Sequence, residues 1–493
     1  MFLRELLKDI DYELIQGSLD IKVDDLAYDS RKVDNDMAFV AIKGFRVDGH
    51  DYIDEAIEKG SKVIIVERNV KIYKSITIIK LDDTRLGLAK ISRTLFGYPD
   101  KELITIGITG TKGKTTTSWI VREILNGDNR DCGYIGTMGV FYGDKYYHTV
   151  NTTPESYDVY KYMRDMLESG VKYLVMEVSS QSLKLDRWKD IIFDYGVFTN
   201  LSLDHVGLDE HANYREYVYC KSKLFKQCKI GLFNIDDKEY ETMTKDFKGK
   251  LYTFGKSGKA NFRIRESHNV IESGFMGIEF ITEGIIKDKF RVSIPGDFNS
   301  YNVICAISLC NLLGVEIDVI KKTLEHVSVR GRLEPVHISD KFNILIDYAY
   351  QGVAMENVLK TIKESNPIRI VNIFGCGGNR SRQRRFDCGE VSGKYADLSI
   401  ITSDNSRYES VDNIIKDILV GINKTGGKYI VVPDRREAIK YSIVNAKEGD
   451  VILILGKGHE DYQEIEGVRY PFDERVVIRE IVDNLTDEEK KNL

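Results

Sequence analysis

An apolar strand, a glycine-rich loop and an amphipathic helix follow one another without a break in LITIGITGTKGKTTTSWIVREIL, residues 103–125. A strand that runs through glycines straight into a helix is the first half of a βαβ unit, and such units build parallel sheets covered by helices on both faces. This stretch therefore favours an α/β architecture over an all-helical or all-β one. The loop departs by one residue from the common phosphate-binding pattern G-x-x-x-x-G-K-[ST]. Counting back from Gly113-Lys114-Thr115, Ile108 stands where the first glycine is expected, and Gly107 precedes it. The physical chemistry still favours phosphate. Gly107, Gly110 and Gly113 permit positive φ and close backbone approach, so that successive N–H groups converge on an anion. Lys114 can reach terminal phosphates and Thr115 can ligate Mg2+. The following helix, with Ile120, Val121, Ile124 and Leu125 on one face, turns its N-terminus toward the phosphate. A glycine turn with a chance Lys-Thr pair explains neither the strand before nor the helix after.

The same logic recurs further along. In the last third, FNILI, IRIVNIF, LSIIT, YIVV and VILIL are separated by helix-length patterns and stop on Asp347, Gly375, Asp404, Asp434 and Gly456. Near-continuous apolar strands alternating with helices predict a mostly parallel sheet, and ligands bind such sheets at the carboxyl ends of strands. In the middle, YLVM leads to Glu177 and YGVF to Thr199-Asn200. Pattern breaks at LFGYPDKEL and around Gly331 and Pro335 mark two seams. They divide the 493 residues into segments 1–98, 99–330 and 331–493, each of ordinary domain size. The expected fold is α/β in three domains.

Charge narrows the function. With 71 basic and 77 acidic residues interspersed and a net charge of −6, neither a nucleic-acid groove nor an anionic membrane surface is expected. No apolar run approaches the ~18 residues of a membrane span. The start, MFLRELLKDIDYEL, mixes charges among its apolar residues and reads as a small amphipathic helix, not a signal peptide. Seven cysteines without a C-x-x-C pair suit reduced thiols of a cytoplasmic protein better than disulfides or a zinc site.

Three further residues stand out for chemistry. Glu177 ends a buried strand, His205 follows another strand end in TNLSLDHVG, and Lys221 borders a helical stripe of Tyr217, Cys220, Leu224 and Cys228. Taken singly, they read as a capping acid, a satisfied histidine and a solvated lysine. Taken with their surroundings they read otherwise. GITGTKGKTTT, NTTPESYD, MEVSSQSL, TNLSLDH, CKSKLF, PGDFNSYN, RGRLEPV, IDYA, GCGGNR, SDNSR and GKGHED occur in the order found in Mur ligases. The chain resembles that family, and within it the tripeptide synthetases that add the third residue of the peptidoglycan stem peptide. YDSRKVDNDMAFVAIKGFRVDGHDYI is also similar to their uridine-nucleotide domain. The resemblance runs from about Ser30 to Asp473, and the family's ATP loop carries its glycine one place early, as here.

The resemblance implies a function in cell-wall synthesis. It assigns a UDP-sugar-binding domain to 1–98, a central P-loop-type ATPase domain with a parallel sheet to 99–330, and a C-terminal Rossmann-like, amino-acid-binding ligase domain to 331–493. It implies ATP contacts from Gly110, Thr111, Lys112, Gly113, Lys114, Thr115 and Thr116, with Asn302, Arg332 and Asp347. Mg2+ would be held by Thr115, Glu177, His205 and Lys221, the last carboxylated by CO2. A lysine forms a carbamate only when neutral, which nearby cations and desolvation favour, and the resulting anion suits a hard ion. The catalytic group is then Lys114, Glu177, His205 and Lys221. Ser30, Thr152, Thr153, Ser180 and Arg187 match positions that hold UDP-N-acetylmuramoyl-L-alanyl-D-glutamate, and Arg380, Asp404, Asn405, Arg407, Gly456 and Glu460 match those for the incoming diamino acid. Arg407 at the selecting motif favours meso-diaminopimelate over L-lysine, since arginine pairs a carboxylate bidentately. ATP, the UDP-dipeptide and the diamino acid are the expected partners, and a monomer is the expected state.

Several letters depart from the family pattern. Tyr350 stands where histidine is usual, Gln181 replaces the histidine after EVSS, and Ser406 replaces a common proline. They bear on nucleotide contacts and on the identity of the amine. Two other classes compete: a related ligase acting on a different carboxylate, and a binding protein that kept the fold without turnover. The uridine-type segment opposes a folate version of the first, and the intact Lys114, Thr115, Glu177, His205 and Lys221 oppose the second.

Overall fold

The computed structural model describes residues 1–44, 47–72, 74–203, 207, 211–272 and 275–493. They form two compact units, Met1–Asn261 with Ser308–Leu313, and Phe262–Ile307 with Gly314–Leu493.

The first unit holds two sheets. The smaller runs in the order Glu13–Gln16, Thr77–Lys80, Val63–Val66, Met37–Val40 and Asp25–Ala27, parallel except for its first strand. The start of the chain is helical only over Leu3–Leu6, shorter than its pattern suggests. Leu3, Leu6 and Leu7 are buried, but Glu13–Gln16 is drawn into the sheet as an edge strand. The larger sheet contains the glycine-loop strand Ile104–Thr109 between Phe193–Phe198 and Tyr173–Glu177, all parallel. Their carboxyl ends are level, with Glu177 beside Ile108 and Phe198 beside Thr109. Gly107 sits inside this strand, where a Cβ would come within 3.0 Å of the Phe193 ring and 3.1 Å of Leu224. It is required by packing and not by a positive φ, which Gly110 and Gly113 do adopt. The helix Ser156–Glu168 ties the two layers together through Tyr157, whose hydroxyl donates to Asp25 at 2.9 Å.

In the second unit, Phe262–Glu272, Phe275–Gly284 and Lys289–Val292 form an antiparallel meander. A six-stranded sheet follows in the order Glu334–Pro335, Asn343–Asp347, Asp450–Leu455, Arg369–Phe374, Leu398–Ile401 and Tyr429–Val431, parallel after its first strand. Ile344, Ile346, Ile452 and Ile454 pack on one face, and Leu345, Val451, Leu453 and Leu455 on the other. Burial of both faces is why these strands read as unbroken apolar runs. Register places Asp347, Leu455 and Phe374 at one level, so the loops after all three strands leave the same edge. No helix among the described residues is long and apolar enough to cross a membrane.

Candidate active site

The glycine loop is held open by the strand end beside it. Asn200 donates from Nδ2 to the Lys112 carbonyl at 2.9 Å, accepts from the Lys112 N–H at 3.0 Å, and its carbonyl accepts from the Thr111 N–H at 2.8 Å. Thr199 Oγ1 donates to the same Lys112 carbonyl at 2.8 Å. Gly110, at φ +152°, has no room for a side chain, since a Cβ would lie 1.9 Å from Thr199 Oγ1. The first hydrogen bond of the helix Lys114–Gly127 is Thr117 N–H to Gly113 O at 2.9 Å. The amides of Thr115 and Thr116 are thus not consumed by the helix and are available to an anion. Lys114 Nζ lies over this ring of backbone, donating to the Gly110 and Thr111 carbonyls at 2.8 and 3.0 Å.

Glu177 is fully buried. Its carboxylate accepts from Thr115 Oγ1 at 3.0 Å, from the Thr137 N–H at 3.0 Å and hydroxyl at 3.1 Å, and from the Tyr134 hydroxyl. It makes no ion pair among the described residues. A buried carboxylate met only by hydrogen bonds, beside a threonine hydroxyl at a helix N-terminus, is an oxygen donor set that fits Mg2+. Lys221, also buried, donates from Nζ to the Gly110 carbonyl at 2.8 Å. Its ammonium lies 4.8 Å from the centre of the Tyr217 ring, and the Tyr217 hydroxyl is 2.9 Å from Thr111 Oγ1. Lys114 and Lys221, 107 positions apart in sequence, therefore meet on one carbonyl oxygen. His205 lies outside the described residues.

A second layer gathers around the Glu177 strand end. Thr153 Oγ1 donates to the Glu177 carbonyl at 2.8 Å and accepts from the Ser179 N–H at 3.1 Å. Arg187 donates to the Thr153 carbonyl at 2.9 Å and pairs with Glu155 at 2.9 Å. Burial pulls the Arg187 guanidinium below its ordinary pKa, opposed by Glu155. Thr152 joins through Thr137, their hydroxyls 3.2 Å apart. Ser180 opens the short helix Ser180–Lys184, with Gln181 half-buried next to it. Ser30 belongs to a different group: in the smaller sheet's layer it donates to Glu55 at 2.8 Å, and its carbonyl accepts from Lys59 at 3.1 Å.

In the second unit, Asp347 ends its strand buried and accepts from the Leu333 and Ala349 N–H groups at 2.8 and 2.9 Å. Burial raises its pKa, partly offset by Arg332. The Arg332 guanidinium stands 5.8 Å from the Tyr348 ring, and Tyr350 is flanked by Tyr348 and by the Arg384 guanidinium at 5.2 Å. Asn302 stays with its own helix, donating to Asn299 at 2.9 Å. On neighbouring loops, Asn405 donates from Nδ2 to Glu460 at 2.9 Å, and its Oδ1 accepts from the Glu464 N–H at 2.9 Å. Arg407 is held at φ +50°, an uncommon conformation for a residue with a side chain. It donates to the Gly378 carbonyl at 2.9 Å and pairs with Glu464 at 3.3 Å. Glu409, close to Arg407 in sequence, pairs instead with Arg385. Gly456 faces Asp404, whose carboxylate would lie 3.0 Å from a Cβ there. Arg380 is exposed and makes no ion pair among the described residues.

Residues 22–93, 108–310 and 331–458 match, in turn, the Mur ligase family catalytic domain, the Mur ligase middle domain and the Mur ligase glutamate ligase domain. A UDP-N-acetylmuramoyl-L-alanyl-D-glutamate–2,6-diaminopimelate ligase of Caldanaerobacter subterraneus subsp. tengcongensis is 41% identical over 486 residues, 98% of this chain and 99% of the relative. The chain belongs to the Mur ligase family. A Clostridium perfringens protein of the same name is 41% identical over 492 residues, 98% of this chain and 100% of its own. A solved structure of a ligase so named superposes with a TM-score of 0.72 at 26% identity, covering 98% of this chain and 99% of that one. In this Mur ligase Tyr134 and Thr137 hold Glu177, Asn200 holds the loop, and Lys457 lies between Asn405 and Glu460, roles that the sequence does not assign. Only Asn200 carried a signal, as a polar residue at a strand end. Tyr134 and Thr137 act through contacts distant in sequence, as does Lys457 toward Asn405.

Proposed function

We propose that this Mur ligase joins meso-diaminopimelate to the D-glutamate side chain of UDP-N-acetylmuramoyl-L-alanyl-D-glutamate at the expense of ATP, in peptidoglycan precursor synthesis. In this reading 1–98 receives the uridine nucleotide, 99–330 ATP, and 331–493 the amino acid. The observation that carries the amine assignment is that Asn405 links the two loops, bonding Glu460 through Nδ2 and the Glu464 N–H through Oδ1, while Glu464 pairs with Arg407. The distal end of diaminopimelate carries a carboxylate and an ammonium side by side, whereas that of L-lysine carries an ammonium alone. A fixed arginine and a fixed carboxylate answer both groups.

The chemistry needs an activated carboxylate. A glutamate carboxylate oxygen attacks the γ-phosphorus, the bond to ADP breaks, and an acyl phosphate results. The amine then attacks the acyl carbon, inorganic phosphate leaves, and the amine loses its proton to solvent. The protein's share is positioning and charge neutralisation. Lys114 and the amides of Thr115 and Thr116 would hold the β- and γ-phosphates. Thr115, Glu177, His205 and a carboxylated Lys221 would hold Mg2+, which supplies further positive charge at the phosphate oxygens. Lys221 would take up CO2 through its neutral amine. Thr152, Thr153, Ser180 and Arg187 would orient the dipeptide, Ser30 the uridine end, and Asn302, Arg332 and Asp347 the rest of the nucleotide. Arg380, Asp404, Asn405 and Gly456 would complete the diamino-acid pocket. Phosphate release from ATP should require both the UDP-dipeptide and the amino acid. Release that ignores the dipeptide would defeat this reading.

A further inference from the structure

Lys457 is fully buried. Its Nζ donates to Asn405 Oδ1 at 3.1 Å and to Glu460 Oε2 at 3.4 Å, and lies 3.8 Å from Asp404 Oδ1. Three of the residues assigned above to the incoming diamino acid thus converge on one ammonium that no assignment includes. A buried ammonium is costly to keep, and a neutral donor would satisfy Asn405 equally well, so the charge itself needs a reason. Glu460 provides one. Its Oε2 is saturated by Asn405 Nδ2 and Lys457, while Oε1 is approached by the Tyr348 hydroxyl at 3.4 Å. The carboxylate is clamped by one oxygen and presents the other.

Resting on the diaminopimelate reading, we propose that Lys457 is a positioning residue that sets the amino-acid selectivity of the site. Asp404 and Glu460 contribute two negative charges, and Lys457 reduces them to one, matching the single distal ammonium of the substrate. Arg407, which donates to the Gly378 carbonyl and pairs with Glu464, would take the distal carboxylate in place of Glu464. Without Lys457, Glu460 keeps only Asn405 on its Oε2 and the loops carry an uncompensated negative charge. That charge repels the substrate carboxylate and competes with it for Arg407, but does not disfavour the ammonium of L-lysine. Selectivity therefore falls through loss of repulsion against one ligand and gain of repulsion against the other.

The test uses the full-length enzyme with Lys457→Met, and with Lys457→Gln, which keeps a donor for Asn405 without the charge. KM for diaminopimelate should rise at least about tenfold in both, with KM for ATP within about twofold of wild type. The ratio of kcat/KM for diaminopimelate over L-lysine should fall at least about tenfold. That ratio is taken within one preparation, so a fraction of unfolded protein cancels from it. An unchanged ratio, or equal losses for both amino acids, would make Lys457 merely structural and overturn the inference while leaving the diaminopimelate reading intact. A wild-type enzyme that does not use diaminopimelate would remove both.

Discussion

Gly110→Ala should cripple nucleotide binding while leaving the fold intact. The new Cβ would meet Thr199 Oγ1 at 1.9 Å and the Asn200 backbone at 3.1 Å, in a backbone conformation at φ +152° that side chains rarely adopt. Holding an L-residue in such a region costs roughly 1–3 kcal/mol. Relieving the contact means moving Thr199, which donates to Lys112, at roughly 0.5–1.5 kcal/mol for the lost hydrogen bond. The Gly110 carbonyl also receives both Lys114 and Lys221, so any shift of it displaces two proposed catalytic amines together. A total of roughly 1.5–4.5 kcal/mol corresponds to about tenfold to about 2,000-fold weaker ATP binding. Titration with a fluorescent ATP analogue measures this directly, and thermal unfolding checks the fold. Thr199→Ala, which removes the closest atom, should restore part of the affinity in the double variant. Binding within twofold of wild type in Gly110→Ala alone would refute the close-approach argument.

Lys221→Ala should nearly abolish turnover, and bicarbonate or a short carboxylic acid should return part of it; a wild-type kcat in the variant would end the carbamate proposal. Arg407→Ala should raise KM for diaminopimelate by roughly 30-fold, from the ~2 kcal/mol at the low end of the loss for a charged contact, since the arginine is half-buried, while KM for ATP stays within about twofold; an unchanged diaminopimelate KM would remove Arg407 from the pocket. Acid should destabilise the second unit through Asp417 and Glu409. Asp417 is held below the usual carboxylate range by Arg382 and then Arg385, and Glu409 is held there by Arg385. Their folded values lie below the unfolded ones of about 3.9 and 4.3, so their contribution is full above that range and is lost as pH falls through the folded values. Melting temperature followed from neutral pH to pH ~3 should therefore fall less steeply in Asp417→Asn than in wild type, and parallel curves would contradict it.

What could be read in advance depended on how local the cause was. The strands of the second unit were legible because both faces are buried, which leaves Ile and Leu at successive positions of Asp450–Leu455. The loop was legible because strand, glycines and helix are contiguous. Gly107 was assigned to backbone freedom because a sequence does not show Phe193 and Leu224 lying across the strand. Tyr134 donates to Glu177 from 43 residues away and Lys457 to Asn405 from 52, and no period or spacing marks such pairs. Lys457 carries no mark in the sequence beyond its place in GKGHED, yet the fold encloses it completely.

Competition between the two amines decides which amino acid the enzyme takes. The enzyme is given MgATP, UDP-N-acetylmuramoyl-L-alanyl-D-glutamate and equimolar meso-diaminopimelate and L-lysine, and the nucleotide products are weighed by mass spectrometry. A tripeptide product carrying diaminopimelate almost throughout is expected, formed together with ADP and phosphate. A product dominated by L-lysine, or ADP released with no tripeptide formed, would contradict it.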